Sequence, residues 1–338
     1  MEAIRAEEFG DSDVLEPVEV DQPEPGPGEV RIEVEAAGIN FADLMQRRGE
    51  YPGGPEPAFT PGMEAAGTVD AVGEGVSLPI GKRVVAMLDR GGYAEYAIAD
   101  YESIFPLPEG MSFEEATGVP VQFLTAHGCL FGWGGLEGGD GTGDDDRGRA
   151  GGRAERVLIH AAAGGVGTAA VQLASRAGAE VFGTASSADK LELAVELGCD
   201  HPVNYTETNF VDEIRELTGG EGVDLVLDGV GGETFERSLK ALVPFGRVVT
   251  YGVASGRPGR IETPEVFFRN ASVVGFHLGR ALQYDPSRVL GAMPKLTEGF
   301  DAGELEVVVG ETFPLADANE AHRFIENRES SGKVVLLP

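Results

Sequence analysis

Apolar and polar positions change their rhythm twice along the chain. Up to about residue 121 they alternate in short runs such as Val30-Arg31-Ile32-Glu33-Val34, Gly67-Thr68-Val69-Asp70-Ala71-Val72 and Arg83-Val84-Val85-Ala86-Met87. Pro23, Pro25, Pro27, Gly26 and Gly28 punctuate the first run, so the period of two predicts a β-rich, barrel-like domain. From about residue 155 the runs become continuously apolar and are separated by turns and helical stretches. Strands are expected at 157–160, 180–183, 224–228, 247–251 and 272–276, with helices such as 169–177 and 190–197 between them. That alternation predicts a parallel sheet covered on both faces by helices. After about residue 300 a β-like run is expected at 305–309, a short helix around 316–326 and a last strand at 333–337 that returns to the first domain. The expected division is therefore 1–121 with 300–338 as one domain and 122–299 as the other, an α/β architecture.

Composition narrows the function classes. The 338 residues carry a net charge of −31, and lysine occurs at five positions only. Such a polyanion is a poor partner for nucleic acid. With 42% hydrophobic residues the chain is not a disordered acidic tail, so the acid decorates a folded surface. The excess suggests adaptation to concentrated salt, where screening acts over roughly 3 Å at 1 M. Residues 134–153 hold nine glycines and five acids and read as a flexible loop. Cys129 and Cys199 lack metal-ligand spacing and read as buried thiols. No apolar run is long enough to span a membrane and the N-terminus MEAIRAEEFG is not a secretory signal, so a cytoplasmic location without membrane partners is expected.

The expected strand ending at His160 runs into Ala161-Ala162-Ala163-Gly164-Gly165-Val166-Gly167 and then an apolar helix. Ala162-x-Gly164-x-x-Gly167 is a dinucleotide fingerprint with alanine at the first glycine. Gly164 lets backbone approach a pyrophosphate, Gly167 lets helix pack on strand, and the helix N-terminus offers free N–H groups to the anion. The tip of the next strand separates the two nicotinamide dinucleotides. A carboxylate there holds a ribose 2′-hydroxyl, whereas this chain reads Thr184-Ala185-Ser186-Ser187-Ala188-Asp189-Lys190. Two hydroxyls and an ammonium suit a 2′-phosphate, so NADPH is expected over NADH.

These residues, together with Gly38-Ile39-Asn40-Phe41-Ala42-Asp43, Thr60-Pro61-Gly62-Met63-Glu64-Ala65-Ala66-Gly67, Gly91-Gly92-Tyr93-Ala94-Glu95-Tyr96, Val121-Gln122-Phe123-Leu124-Thr125-Ala126 and Gly332-Lys333-Val334-Val335-Leu336, resemble the medium-chain dehydrogenase/reductases. Within them the resemblance is to the zinc-independent, zeta-crystallin-like quinone oxidoreductases, with a GroES-like domain and a Rossmann domain. Three stretches, 41–45, 182–186 and 275–279, are similar to the vesicle amine transport protein subgroup, whose membrane association is not expected here. Zinc members place ligands near Gly38 and at Met63, where this chain has no donor, so no metal is expected.

The resemblance implies a role for particular residues. Asn40 and Thr125 would lie beside the nicotinamide, and Tyr51 would donate a hydrogen bond to the acceptor oxygen. Gly164, Gly165, Val166 and Gly167 would carry the pyrophosphate, Ser186, Ser187 and Lys190 the 2′-phosphate, and Tyr205 would pack near it. Tyr251, Gly252, Phe276, His277 and Leu278 would flank the cofactor, with Arg328 closing on it. Read without the resemblance, Asn40 is also a helix N-cap and His277 a core histidine in an apolar strand. The expected activity is hydride transfer from NADPH to a quinone or other activated carbonyl. Met45 stands where bacterial quinone reductases carry a second pocket tyrosine, which leaves open an alkenal or enoyl double-bond reductase and a low-turnover NADPH-binding sensor. A homodimer is expected through the edge strand near Ala271–Phe276.

Overall fold

The computed structural model describes residues 1–108, 110–137 and 153–338. The chain divides into two compact units, Met1–Gln122 with Gly299–Pro338, and Phe123–Glu298.

The first unit is a mostly antiparallel sheet of seven strands among the described residues, with a two-stranded ribbon made of Glu2–Ala6 and Leu15–Glu19. Its central strand, Glu29–Ile39, buries Val30, Ile32 and Val34 while Glu33 and Glu35 face out, as an alternating run demands. The C-terminal strand Lys333–Leu337 pairs antiparallel with that strand, Val334 opposite Ile39 and Leu336 opposite Ala37. This return places Lys333 next to the end of Glu29–Ile39, where the helix Phe41–Arg47 begins. The run expected at 305–309 is displaced: the strand is Val309–Pro314, and residues 305–308 lie outside the ladder. It is an edge strand exposed along most of its length, so it has no apolar alternation to read.

Among the described residues the second unit holds six parallel strands whose spatial order, numbered along the sequence, is 3-2-1-4-5-6. This is the doubly wound Rossmann arrangement, and its order reverses between Arg156–Ile159 and Val223–Asp228. All six residues of Val223–Asp228 are buried, as expected of a strand covered on both faces. The helix expected at 169–177 begins earlier, at Gly165, and ends at Arg176. The fifth strand also starts earlier, at Leu242, because Pro244 and Gly246 disguise its first half. Cys129 and Cys199 are buried free thiols.

Most of the loop expected at 134–153 lies outside the described residues. Its two ends are corrected to packed structure: the Leu136 side chain is buried and its N–H bonds to the Leu130 carbonyl, while Arg153 pairs with Asp224 at 2.7 Å.

Candidate functional site

In the second unit the turn after the first strand is built from main chain. Ala161 adopts φ +51°, a left-handed conformation uncommon for alanine, and the Ala162 N–H bonds to the Thr184 carbonyl of the neighbouring strand. Gly164 takes the N-cap position of the helix Gly165–Arg176. A Cβ on Gly167 would stand 2.1 Å from the Ala161 carbonyl oxygen, so only glycine lets the helix start this close to the strand. Gly164 is different, because its added Cβ would meet the protein no closer than 3.2 Å. Gly164, Gly165 and Val166 are half-buried, and a helix start presents N–H groups without intrahelical acceptors. The turn sits at the strand-order reversal, where sheets of this type bind ligands, and it can hold an anion.

Beside it the second strand, Glu180–Ala185, ends in Ser186 and Ser187, both half-buried, with Ser187 at the N-cap of Ala188–Glu196. The Ser187 hydroxyl makes no capping bond. Lys190 lies one turn further along that helix, and the Tyr205 N–H bonds to the Ala185 carbonyl. The structure thus gathers Ser186, Ser187, Lys190 and Tyr205 at one strand end, with no carboxylate on the strand tip itself. Asp189 is exposed in the first helical turn.

The remaining expected residues of this unit divide into backbone and side-chain contributors. Gly252 follows the fifth strand with Tyr251, and its Cβ would come 2.8 Å from the Gly229 carbonyl oxygen. Burial raises the Tyr251 hydroxyl well above the usual phenol range. Phe276 turns its ring inward against Trp133, centroids 4.9 Å apart, so only its main chain can face a ligand. His277 is neither core nor strand: it is exposed, and its Nδ1 accepts from the Arg280 N–H to cap the helix Leu278–Tyr284. Thr125 is buried in the short helix Leu124–His127, which a π-helical turn, Gly128–Gly132, follows. Such turns often mark functional positions.

The first unit gathers side chains instead. Asn40 stands at the N-cap of Phe41–Arg47, and its N–H bonds to Asp43 Oδ2 at 2.7 Å. Its side-chain amide goes elsewhere. Asn40 Nδ2 donates to Glu64 Oε2 at 3.1 Å, and Lys333 Nζ donates to Asn40 Oδ1 at 3.0 Å and to Glu64 Oε2 at 2.7 Å. Lys333, Glu64 and Asp43 are fully buried. Burial pushes the Asp43 carboxyl up to about 7 and raises Glu64 as well, with Lys333 opposing the latter. Tyr51 is half-buried, and burial, Asp43 and Asp89 raise its hydroxyl, so it is a neutral hydrogen-bond donor at physiological pH. Arg328 is exposed at the end of Ala318–Glu326, with φ +61°.

Two parts of this cluster carried no assigned role in the sequence. Glu64 and Lys333 occur in the motifs Gly62-Met63-Glu64 and Gly332-Lys333-Val334, and a lysine opening the apolar strand expected at 333–337 was the available signal. Deeper still, the Tyr93 hydroxyl and His322 Nε2 lie 3.0 Å apart, and buried Arg47 pairs with Glu326. The donor set does not fit a zinc ion. A Cβ on Gly38 would lie 2.3 Å from Lys333 Cε and 2.8 Å from its Nζ, so an ammonium fills the space where a thiolate at 38 would project. Met63 offers no alternative, and among the described residues no three His, Cys, Asp or Glu side chains converge as ligands.

Residues 165–296 match the zinc-binding dehydrogenase family and residues 26–109 match the alcohol dehydrogenase GroES-like domain family. The human protein named synaptic vesicle membrane protein VAT-1 homolog is 36% identical over 94% of this chain and 80% of its own length. A 2-haloacrylate reductase from Burkholderia sp is 35% identical over 97% of this chain and 96% of its own. The chain belongs to the medium-chain dehydrogenase/reductase family. Among solved members, the Escherichia coli quinone oxidoreductase complexed with NADPH superposes with a TM-score of 0.90 at 31% identity, covering both chains completely. No helix among the described residues is long and apolar enough to cross a membrane.

Proposed function

We propose that this chain is an NADPH-dependent reductase that delivers hydride to quinones or similarly activated carbonyls without a metal. The observation that carries the reading is the end of the second Rossmann strand, where Ser186, Ser187 and Lys190 stand in place of a carboxylate. These groups hold the 2′-phosphate, and the N–H groups of Gly165 and Val166 hold the pyrophosphate. Tyr205 lies beside the phosphate, and Tyr251, Gly252 and the main chain of Phe276, His277 and Leu278 line the path to the nicotinamide, where Arg328 closes over the cofactor. NADPH supplies the hydride when bound. Asn40 and Thr125 orient its carboxamide, and the Tyr51 hydroxyl donates a hydrogen bond to the acceptor oxygen. Because its pKa is raised, Tyr51 polarises better than it protonates, so the proton comes from solvent.

With Lys333 over Gly38, no Lewis acid enters the chemistry. The similarity to the 2-haloacrylate reductase favours a second reading, reduction of a conjugated double bond, which half-buried Met45 in the helix Phe41–Arg47 also accommodates. We further read the protein as a homodimer. Among the described residues the strand Ser272–Gly275 has one hydrogen-bonded neighbour, and Phe267 and Phe268 beside it are 59% and 79% exposed, a surface suited to a second copy. The charge of −31 suits concentrated salt.

Steady-state rates with NADPH against a panel of benzoquinones, naphthoquinones, alkenals and haloacrylates, with and without a chelator, test the reading. Quinones are expected to turn over fastest and chelator to leave rates unchanged. Turnover of the conjugated acids and alkenals alone would give the second reading. Absence of any turnover, with NADPH still raising the melting temperature, would make the chain a nucleotide sensor.

A further inference from the structure

Lys333 and Glu64 form an ion pair with both side chains fully buried, an arrangement that stabilises a fold no better than an apolar pair of equal bulk. Each member has a direction. An ammonium has only donors, and Glu64 is met by three donors, Lys333 Nζ and Asn40 Nδ2 on Oε2 and the Val121 N–H on Oε1 at 3.1 Å, so the group is a carboxylate. Asn40, 9% exposed, is the member of the cluster that reaches the surface, whereas Lys333, Glu64 and Asp43 are 0% exposed.

The pair therefore decides which way round the Asn40 amide sits. Oδ1 must face the ammonium and Nδ2 the carboxylate, because the reverse would set donor against donor and acceptor against acceptor. The second Nδ2 hydrogen points back toward the Gly38 carbonyl at 3.4 Å. Oδ1, an acceptor with two lone pairs, engages the Lys333 ammonium through one of them. We infer that Lys333 and Glu64 are positioning residues that lock Asn40 as a hydrogen-bond acceptor, so that the site selects a nicotinamide carboxamide through its N–H rather than its carbonyl. The inference rests on the reading that Asn40 lies beside the nicotinamide.

The test is calorimetric binding of NADPH and of its 3-acetylpyridine analogue, which keeps the carbonyl and lacks the amide N–H. The wild-type protein is expected to prefer NADPH about tenfold, the worth of one well-made hydrogen bond. In Lys333→Met/Glu64→Met the amide is free to turn over, and the preference is expected to fall to about twofold or less. Lys333→Met/Glu64→Gln keeps an acceptor for the Val121 N–H and serves if the first variant does not fold. General loosening of the site weakens both ligands alike, so the ratio reports the amide alone. A folded variant that keeps the wild-type ratio overturns the inference while leaving the placement of Asn40 intact. A wild-type protein that binds both ligands equally overturns the placement of Asn40 and the inference with it.

Discussion

In the Phe123–Glu298 unit the candidate site is made of main chain: a strained alanine at 161, a glycine at 167 packed on the Ala161 carbonyl, and the start of the helix Gly165–Arg176. In the other unit it is made of side chains, the Asn40 amide held by the buried charges of Asp43, Glu64 and Lys333. The first kind of site is limited by volume and tolerates no added methyl group where backbones touch. The second is limited by charge balance, since removing one partner leaves its neighbour buried and uncompensated.

The largest expected effect attacks the volume-limited side. Gly167→Ala must push the helix off the turn, so its melting temperature should fall by roughly 10 °C or more and NADPH affinity by about 100-fold or more. Gly164→Ala, whose Cβ would meet the Ala161 carbonyl oxygen at 3.2 Å and needs a shift of only a few tenths of an ångström, should leave the melting temperature within about 2 °C and mainly weaken NADPH. Equal thermal effects of the two substitutions would break the distinction.

A smaller effect separates the units by pH. In the second unit burial holds His160 down at about 3 and His127 down at about 4, against an ordinary value near 6.5. Groups with depressed values contribute stability that is present above pH 6.5 and is lost as the pH falls toward those values. In the second unit burial raises Asp228, which opposes the histidines, and the first unit contains opposing contributions as well. Burial of His322 acts in the same direction, but Asp43, raised to about 7, contributes stability that is present below pH 4 and lost as the pH rises through 7. Acidification from pH 7.5 to 5 should therefore cost the second unit roughly 2–4 kcal/mol and the first unit less. Segment-resolved hydrogen exchange at the two pH values reads this, and greater loss in the first unit would contradict it.

The same contrast explains what could be seen in the sequence. The doubly wound sheet was legible because its strands are continuously apolar, and the sheet of the first unit because strands such as Glu29–Ile39 alternate. The turn at 161–167 was legible because glycine requirements are local. The Lys333–Glu64–Asn40 cluster was not, since three residues separated by 24 and 269 positions meet only after the C-terminal strand has paired with Glu29–Ile39. The alternative reading of His277 as a core histidine fails because an apolar neighbourhood says nothing about where a strand stops. Val309–Pro314 escaped because an exposed edge strand need not be apolar.

In the proposed reading, hydroxyls and an ammonium at the second strand end select the phosphorylated ribose. Calorimetric titration of NADPH and NADH into the wild-type protein and into Lys190→Ala tests it directly. The wild type is expected to bind NADPH at least about tenfold more tightly than NADH, and Lys190→Ala to remove most of that margin while leaving NADH affinity unchanged. Equal or tighter binding of NADH by the wild-type protein would contradict it.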